Sequence, residues 1–259
     1  MNIDLVIKMI DTHIHADARS GEDFRQMYLA GIDCAITCSY YPYKIPQDIV
    51  LLNHLERILE FDTKRAMEHD IDLKVALGIH PTNSKMTPEM IFDELYNWIE
   101  SNQIVAIGEI GLEDLTSNEL EIFKKQLDIA SETDSKVIIH TPRKNKKEVL
   151  KVILDIIPQH IDESQAVIDH INPQVIDDAI DTDCMLGLTV QPQKMDEHEA
   201  ISILDNYGFD RFLLNSDISN KPSDPLSVPK TVRELTRQGY KQSEIEKVSF
   251  KNAKRFFKI

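Results

Sequence analysis

Only three cysteines occur in the 259 residues, and no Cys-x-x-Cys pair stands among them. Cys34 and Cys38 fall on one predicted strand, which would hold their Cα atoms about 13 Å apart, whereas a disulfide spans no more than roughly 7 Å. Cys184 is remote in sequence, so reduced structural thiols are expected. No apolar run approaches the roughly 20 residues of a membrane-crossing helix. The first apolar run is flanked by acidic Asp4 and Asp11 and followed by no cleavage site, so the expected location is cytoplasmic. The first strand candidate is not followed by Gly-x-Gly-x-x-Gly, which counts against a doubly wound dinucleotide-binding sheet. Basic residues are also in deficit: 29 Lys plus Arg face 44 Asp plus Glu, a formal net charge of −15. An excess of that size repels nucleic acid at long range and counts against a broad duplex-binding surface. It leaves room for a pocket that takes a small molecule, one phosphate or one strand end.

What is present reads as a folded α/β chain. Apolar residues make up 42% and charged residues 28%, the balance of a globular protein with a full core. Short runs rich in Val, Ile and Leu lie near 9–14, 33–39, 72–79, 104–110, 136–140, 165–170, 184–190 and 211–216, as buried parallel strands should. Amphipathic segments separate them, near 47–69, 88–101, 117–133, 144–157, 173–181, 196–207, 228–238 and 243–257. In the first of these, Ile49, Leu52, Leu55, Leu59 and Ala66 form the stripe of a helix with one buried face. Thr87 followed by Pro88 is a helix start signal, and Trp98 on that helix is expected to pack against the sheet. About eight strands alternating with helices, without a composition break or repeat, predict a single-domain (β/α)₈ TIM barrel. The oligomeric state is not legible.

In such a barrel the chemistry sits at the C-terminal ends of the strands. His13 and His15 end the first run, at the two-residue spacing that places side chains on one strand face, about 6.6 Å apart. Glu109 follows the fourth run, His140 the fifth, His170 the sixth and Asp217 the eighth. Four imidazoles and two carboxylates suit divalent transition metals. One catalytic ion usually takes about three protein ligands. Two ions bridged by Glu109 would use all six, and such a pair lowers a bound water's pKa to near 7. A carboxylate as deep in an apolar segment as Glu109 also needs a partner or an ion. Asp217 is a candidate proton acceptor for the attacking water, with a helix cap as the plain alternative.

Other positions carry two readings each. Asp11 lies deeper on the His13 face, either orienting an imidazole or simply buried and hydrogen-bonded. His80 can touch a phosphate or leaving group, or tie its own loop. Arg143 opens a basic cluster with Lys144, Lys146 and Lys147; it is either an anion subsite or, as for the lysines, part of a solvated first helical turn. Asp169, next to His170, should point away by strand alternation. His54, His69, His160 and His198 are expected at the surface.

Together, Met9-Ile-Asp-Thr-His-Ile-His15, Gly78-Ile-His-Pro81, Gly108-Glu-Ile-Gly-Leu112 and Asn252-Ala-Lys-Arg-Phe-Phe257 resemble the TatD-type metal-dependent hydrolases of the amidohydrolase superfamily, over most of the chain. The resemblance implies a TIM barrel with one or two divalent ions and, in its better-known members, deoxyribonuclease activity. It assigns His13, His15 and Asp217 to one ion, His140 and His170 to the other, and Glu109 to both. Zn, Mn, Fe, Ni, Co and Mg remain open. Three places depart from the family pattern: His140-Thr-Pro-Arg143 has one residue more than the usual His-x-Arg, Asp169-His-Ile-Asn-Pro173 replaces His followed by Phe and Gly, and Ser216-Asp-Ile-Ser219 lacks a proline. All candidate ligands survive these departures, while the residues that shape a substrate pocket do not. The expected activity is phosphodiester hydrolysis of the nuclease or exonuclease kind. The alternatives are amide or ester hydrolysis and, in a different class, a metal-binding protein without turnover.

Overall fold

The structure is a computed structural model and describes residues 7–43, 45, 47–85 and 88–259. The apolar runs form β1 (Met9–Ile14), β2 (Ile32–Cys38), β3 (Asp72–Leu77), β4 (Ala106–Gly111), β5 (Val137–His140), β6 (Ala166–Ile171), β7 (Met185–Thr189) and β8 (Phe212–Asn215). They lie side by side in sequence order, each parallel to the next. The sheet then curls back on itself. Ile14 bridges Ile218 in parallel, the His15 amide donates to the Ile218 carbonyl at 2.8 Å, and the Asp217 amide donates to the His13 carbonyl at 2.9 Å. The result is the expected (β/α)₈ barrel.

Alternation along the strands divides the apolar side chains into two sets. Ile10, Ile36, Ala76, Ala106, Ile138, Val167 and Leu213 pack together with Phe256 and Phe257 of the last helix. Their outward-facing neighbours, such as Ile107, Val137, Ile139 and Ile168, pack beneath the surrounding helices, where Trp98 is buried as expected. No helix among the described residues is long and apolar enough to cross a membrane.

The helices differ from expectation in places. Asp48–Arg57 continues through a π-helical turn, Ile58–Asp62, into Thr63–Met67. Its buried stripe runs through Leu51, Leu55 and Ile58, while Ile49 is 40% exposed. Ile49 stands two residues from Leu51, about 200° around the helix, and so faces away. Thr87 lies outside the described residues; the helix it was expected to cap runs over Glu89–Glu100. An additional helix, Gly21–Leu29, turns only Phe24 and Met27 fully inward, too few for apolar periodicity to announce it. Its sequence signal is the capping box between Ser20 and Asp23.

Candidate metal centre

Three breaks in strand register gather the polar side chains at the C-terminal mouth. They fall between Asp11 and Ile14 in β1, Gly108 and Ile110 in β4, and Ile168 and Ile171 in β6. His170 and Asp217 adopt φ of +63° and +45°, values that non-glycine residues rarely take. Irregular backbone frees neighbouring side chains from strict alternation. His13, His15, His80, Glu109, His170 and Asp217 are all buried there, and His140 is only slightly more exposed. Each sequence-predicted site residue reaches this mouth, although Arg143 stands at its exposed rim.

The β6 break corrects one expectation. Asp169 does not point away: its Oδ2 lies 2.6 Å from His13 Nδ1. Asn215 Nδ2 donates to the other oxygen at 3.0 Å. Gly187 leaves the space, since a Cβ built there would fall 1.5 Å from Asp169 Oδ1. Asp11 takes the plainer of its two roles. It accepts from the Ser216 and His13 amides and the Ser216 hydroxyl, tying β1 to β8 without touching a ring nitrogen.

Hydrogen bonds fix which nitrogen each imidazole presents. His13 Nδ1 faces a carboxylate, and His15 Nδ1 lies 3.0 Å from the Cys38 carbonyl; both acceptors require the proton on Nδ1. His170 Nδ1 lies 2.7 Å from the Thr189 hydroxyl. The three Nε2 atoms are thereby turned toward the carboxylates. His15 Nε2 is 3.0 Å from Asp217 Oδ1, His170 Nε2 is 3.0 Å from Glu109 Oε1, and His13 Nε2 is 3.4 Å from Glu109 Oε2. His140 differs, with Nδ1 2.7 Å from Glu109 Oε1 and Nε2 2.9 Å from Glu113 Oε2.

Among the described residues, two groups of donor atoms lie within 4.8 Å of one another: His13, His15 and Glu109, and His80, Glu109 and His140. Proximity thus admits His80 as a ligand, but its tautomer argues otherwise. Its Nδ1 accepts the Thr82 amide hydrogen at 3.1 Å, so the neutral ring carries its proton on Nε2, 3.7 Å from Glu109 Oε2. The loop reading of His80 holds, and its Nε2 also faces the site. Burial, reinforced by positive neighbours, holds it well below the ordinary histidine value and keeps it a neutral donor.

The electrostatics match a place for cations. Burial alone would raise the Glu109 carboxyl, but His13 and His140 outweigh it and hold Glu109 ionised, well below the usual range. Burial likewise opposes charge on Asp217, and Lys194 overcomes it. Burial is also outweighed at His13, by Cys38, Glu109 and Asp169, and at His140, by Glu109 and Glu113, so both are held above the ordinary histidine value, protons taking the place a cation would fill. Among the described residues, buried His13 Nε2 has no hydrogen-bond partner. An orphaned imidazole nitrogen beside two ionised carboxylates is a chemical fit for a divalent ion.

Sequence reasoning misses several neighbours. Glu113, Tyr40 and Lys194 line the mouth, a cavity of about 390 Å³, and Gln191 donates to Asp217 at 3.1 Å. Glu113 could have been found from its distance of four residues from Glu109; Lys194 has no motif to announce it. Lys146 is buried, with its ammonium on the Thr141 hydroxyl and carbonyl and the His170 carbonyl. The solvated-turn reading fails for it, because the helix start tucks beneath the mouth; burial pushes its pKa down to about 7. Lys147 is exposed as expected. His54 is buried against Tyr41 and Asp17, not at the surface, because its helix face turns inward beside Leu55.

A parallel (β/α)₈ barrel with imidazoles and carboxylates converging at its C-terminal mouth defines a class, the barrel hydrolases that work with bound metal. Residues 10–258 match the family model described as TatD related DNase, and the chain belongs to that family. It is 39% identical over 253 residues to an uncharacterized metal-dependent hydrolase of Methanocaldococcus jannaschii, covering 97% of this chain and 100% of that protein. A crystal structure of a TatD-like protein from Archaeoglobus fulgidus is 28% identical, with a TM-score of 0.81 over 96% of this chain and 100% of that one. The fold also resembles the phosphotriesterase homology protein of Escherichia coli, solved with phosphate in its active site, at 14% identity and a TM-score of 0.70, covering 97% and 99% of the chains.

Proposed function

We propose that this metal-dependent hydrolase cleaves phosphodiesters, with nucleic-acid ends or small phosphodiesters as substrates. The observation that carries the reading is the wall of the mouth. Arg143, Lys144, Lys194 and Lys221 line it together with the histidine and carboxylate cluster, on a chain of net charge −15, and among the described residues no aliphatic side chain lines it. Ester and amide substrates call for an apolar pocket, so they form the weaker alternative. A binding protein without turnover is disfavoured by the convergence of all six candidate ligands.

His13, His15 and Asp217 would hold one divalent ion, His140 and His170 a second, with Glu109 between them. Such ions supply Lewis-acid charge and an activated water at neutral pH. The chain's own residues do the rest. Asp217 takes a proton from the attacking water at Oδ1, the oxygen facing His15, while Lys194 and Gln191 hold Oδ2. His80 donates from Nε2 to a phosphoryl or leaving-group oxygen. Arg143, anchored through Nη2 to Gln191 Oε1 at 2.9 Å, retains its other guanidinium hydrogens for the phosphate. The free thiols of Cys34, Cys38 and Cys184 support a reducing compartment such as the cytoplasm.

The test is turnover of bis-p-nitrophenyl phosphate, single-stranded DNA and a p-nitrophenyl ester with Zn, Mn, Fe, Ni, Co or Mg supplied in turn. Phosphodiester turnover that Glu109→Ala abolishes and the exposed-site control His198→Ala retains is expected. Preference for the ester, or equal rates in both variants, would overturn the reading.

A further inference from the structure

Beside the mouth lies a smaller cavity of about 200 Å³, between the loops that follow β5, β6 and β7. Its volume is below the roughly 300–1,000 Å³ of pockets that enclose a whole small molecule. Arg143, Lys146 and Lys194 stand in its wall, and no carboxylate does. On so acidic a chain, three basic side chains and no acidic one among the described lining residues mark a local reversal of sign, with Lys194 also paired to Asp217 of the mouth. Arg143, Lys194 and His170 line the mouth as well, so the two cavities share a wall at the candidate metal centre.

The donors in this wall are unequal. Lys146 directs its ammonium hydrogens to two Thr141 oxygens and the His170 carbonyl, so it braces the pocket wall and has no further bond to offer a ligand. Among the described residues, Lys194 has one ion-pair partner, Asp217, and Arg143 has one hydrogen-bond partner, Gln191, leaving hydrogens on both for a ligand. Asn172 and Gln193 supply neutral polar groups to the same wall.

We propose that this side pocket binds a second anion, the terminal phosphate monoester of a substrate whose scissile phosphodiester lies in the mouth. A phosphate monoester carries about −1.5 to −2 charges at pH 7 and matches a guanidinium with paired hydrogen bonds. The inference rests on the phosphodiester reading and narrows it: the preferred substrate ends in phosphate, and Arg143 and Lys194 stand between its two anionic groups.

Calorimetric titration of the metal-loaded full chain with inorganic phosphate tests the pocket without turnover. The double variant Asn172→Asp/Gln193→Glu places carboxylates in the pocket wall and is expected to weaken one phosphate-binding event tenfold or more (about 1.4 kcal/mol). The opposite-sign variant Gln193→Lys is expected to tighten the same event. Undetectable phosphate binding, or binding equal in all three proteins with native circular dichroism, would overturn the proposal. In turnover, thymidine 3′-phosphate 5′-(p-nitrophenyl phosphate) is expected to show a KM about tenfold lower than the same ester without the 3′-phosphate. If neither ester is cleaved, the phosphodiester reading fails, while the phosphate titration still decides the pocket.

Discussion

The two halves of the mouth use the same ligand chemistry and differ in readiness for a cation. On the β1–β8 side, His13 and His15 each have Nδ1 held by a fixed acceptor, and His13 Nε2 is left without a partner. The acceptors are a main-chain carbonyl and a buried carboxylate that Asn215 pins in turn. On the β5 side, His140 has both nitrogens engaged by carboxylates, Glu109 and Glu113. Its ion pairs engage both ring nitrogens, whereas the pair across the mouth, His15 Nε2 to Asp217 Oδ1 at 3.0 Å, leaves His13 Nε2 over for an ion. The difference teaches that a shared inventory of donors does not make equivalent sites; the partners of the far ring nitrogen decide which half is preorganised.

Glu109 is common to both halves, so its loss should break the comparison altogether. Glu109→Gln is expected to abolish stable binding of both ions and lower kcat/KM by about 10³-fold or more, the scale of several kcal/mol of charge stabilisation. Metal content by mass spectrometry, alongside turnover, checks it. His13→Ala and His140→Ala then separate the halves. His13→Ala should empty the tighter position, whereas His140→Ala should leave close to one ion per chain. Equal metal content in the two variants would refute the ordering.

An intermediate effect is expected behind the β1–β8 half. Asp169→Asn keeps the shape but replaces the charged acceptor of His13 Nδ1, and should weaken the tighter ion by roughly 10–100-fold. Gly187→Ala should do the same by sterics, since its Cβ would collide with Asp169 Oδ1. Overpacking at such a site typically costs about 1–3 kcal/mol of stability, so thermal unfolding accompanies the metal titration. Neither variant should alter the β5 half as much.

How much of this the chain itself announces depends on where regular geometry holds. The barrel is legible because buried parallel strands read as apolar runs at even spacing, and all eight were locatable. The ligand set is legible because each member closes such a run. Asp169 is misread because strand alternation ends at the β6 break, where His170 turns to positive φ. Lys194 and Gln191 escape because they sit on a tight turn, where the Gln191 amide meets the Met195 carbonyl at 3.1 Å and Gln193 takes φ of +72°, and no periodicity extends there. Lys146 is misread because the first turn of a barrel helix can tuck under the loops instead of facing solvent.

The smallest expected effect concerns His80, which proximity alone would place in the β5 half as a ligand. Thr82 meets its Nδ1 twice, through the amide at 3.1 Å and the hydroxyl at 2.8 Å. Thr82→Val keeps the amide and the side-chain shape and deletes the hydroxyl. The amide can only donate, so the proton stays on Nε2 and the donor role survives with looser orientation. One hydrogen bond is worth about 0.5–1.5 kcal/mol net, so kcat should fall less than about tenfold. If His80 were instead a ligand, it would need its proton on Nδ1, facing the Thr82 amide hydrogen, and the Thr82 hydroxyl would be the sole group able to accept it. Thr82→Val would then weaken metal binding as strongly as Asp169→Asn does on the other side. Unchanged metal affinity with a modest loss in kcat keeps His80 a donor, and a matched loss of metal would move it into the ligand set and make the β5 half the better furnished of the two.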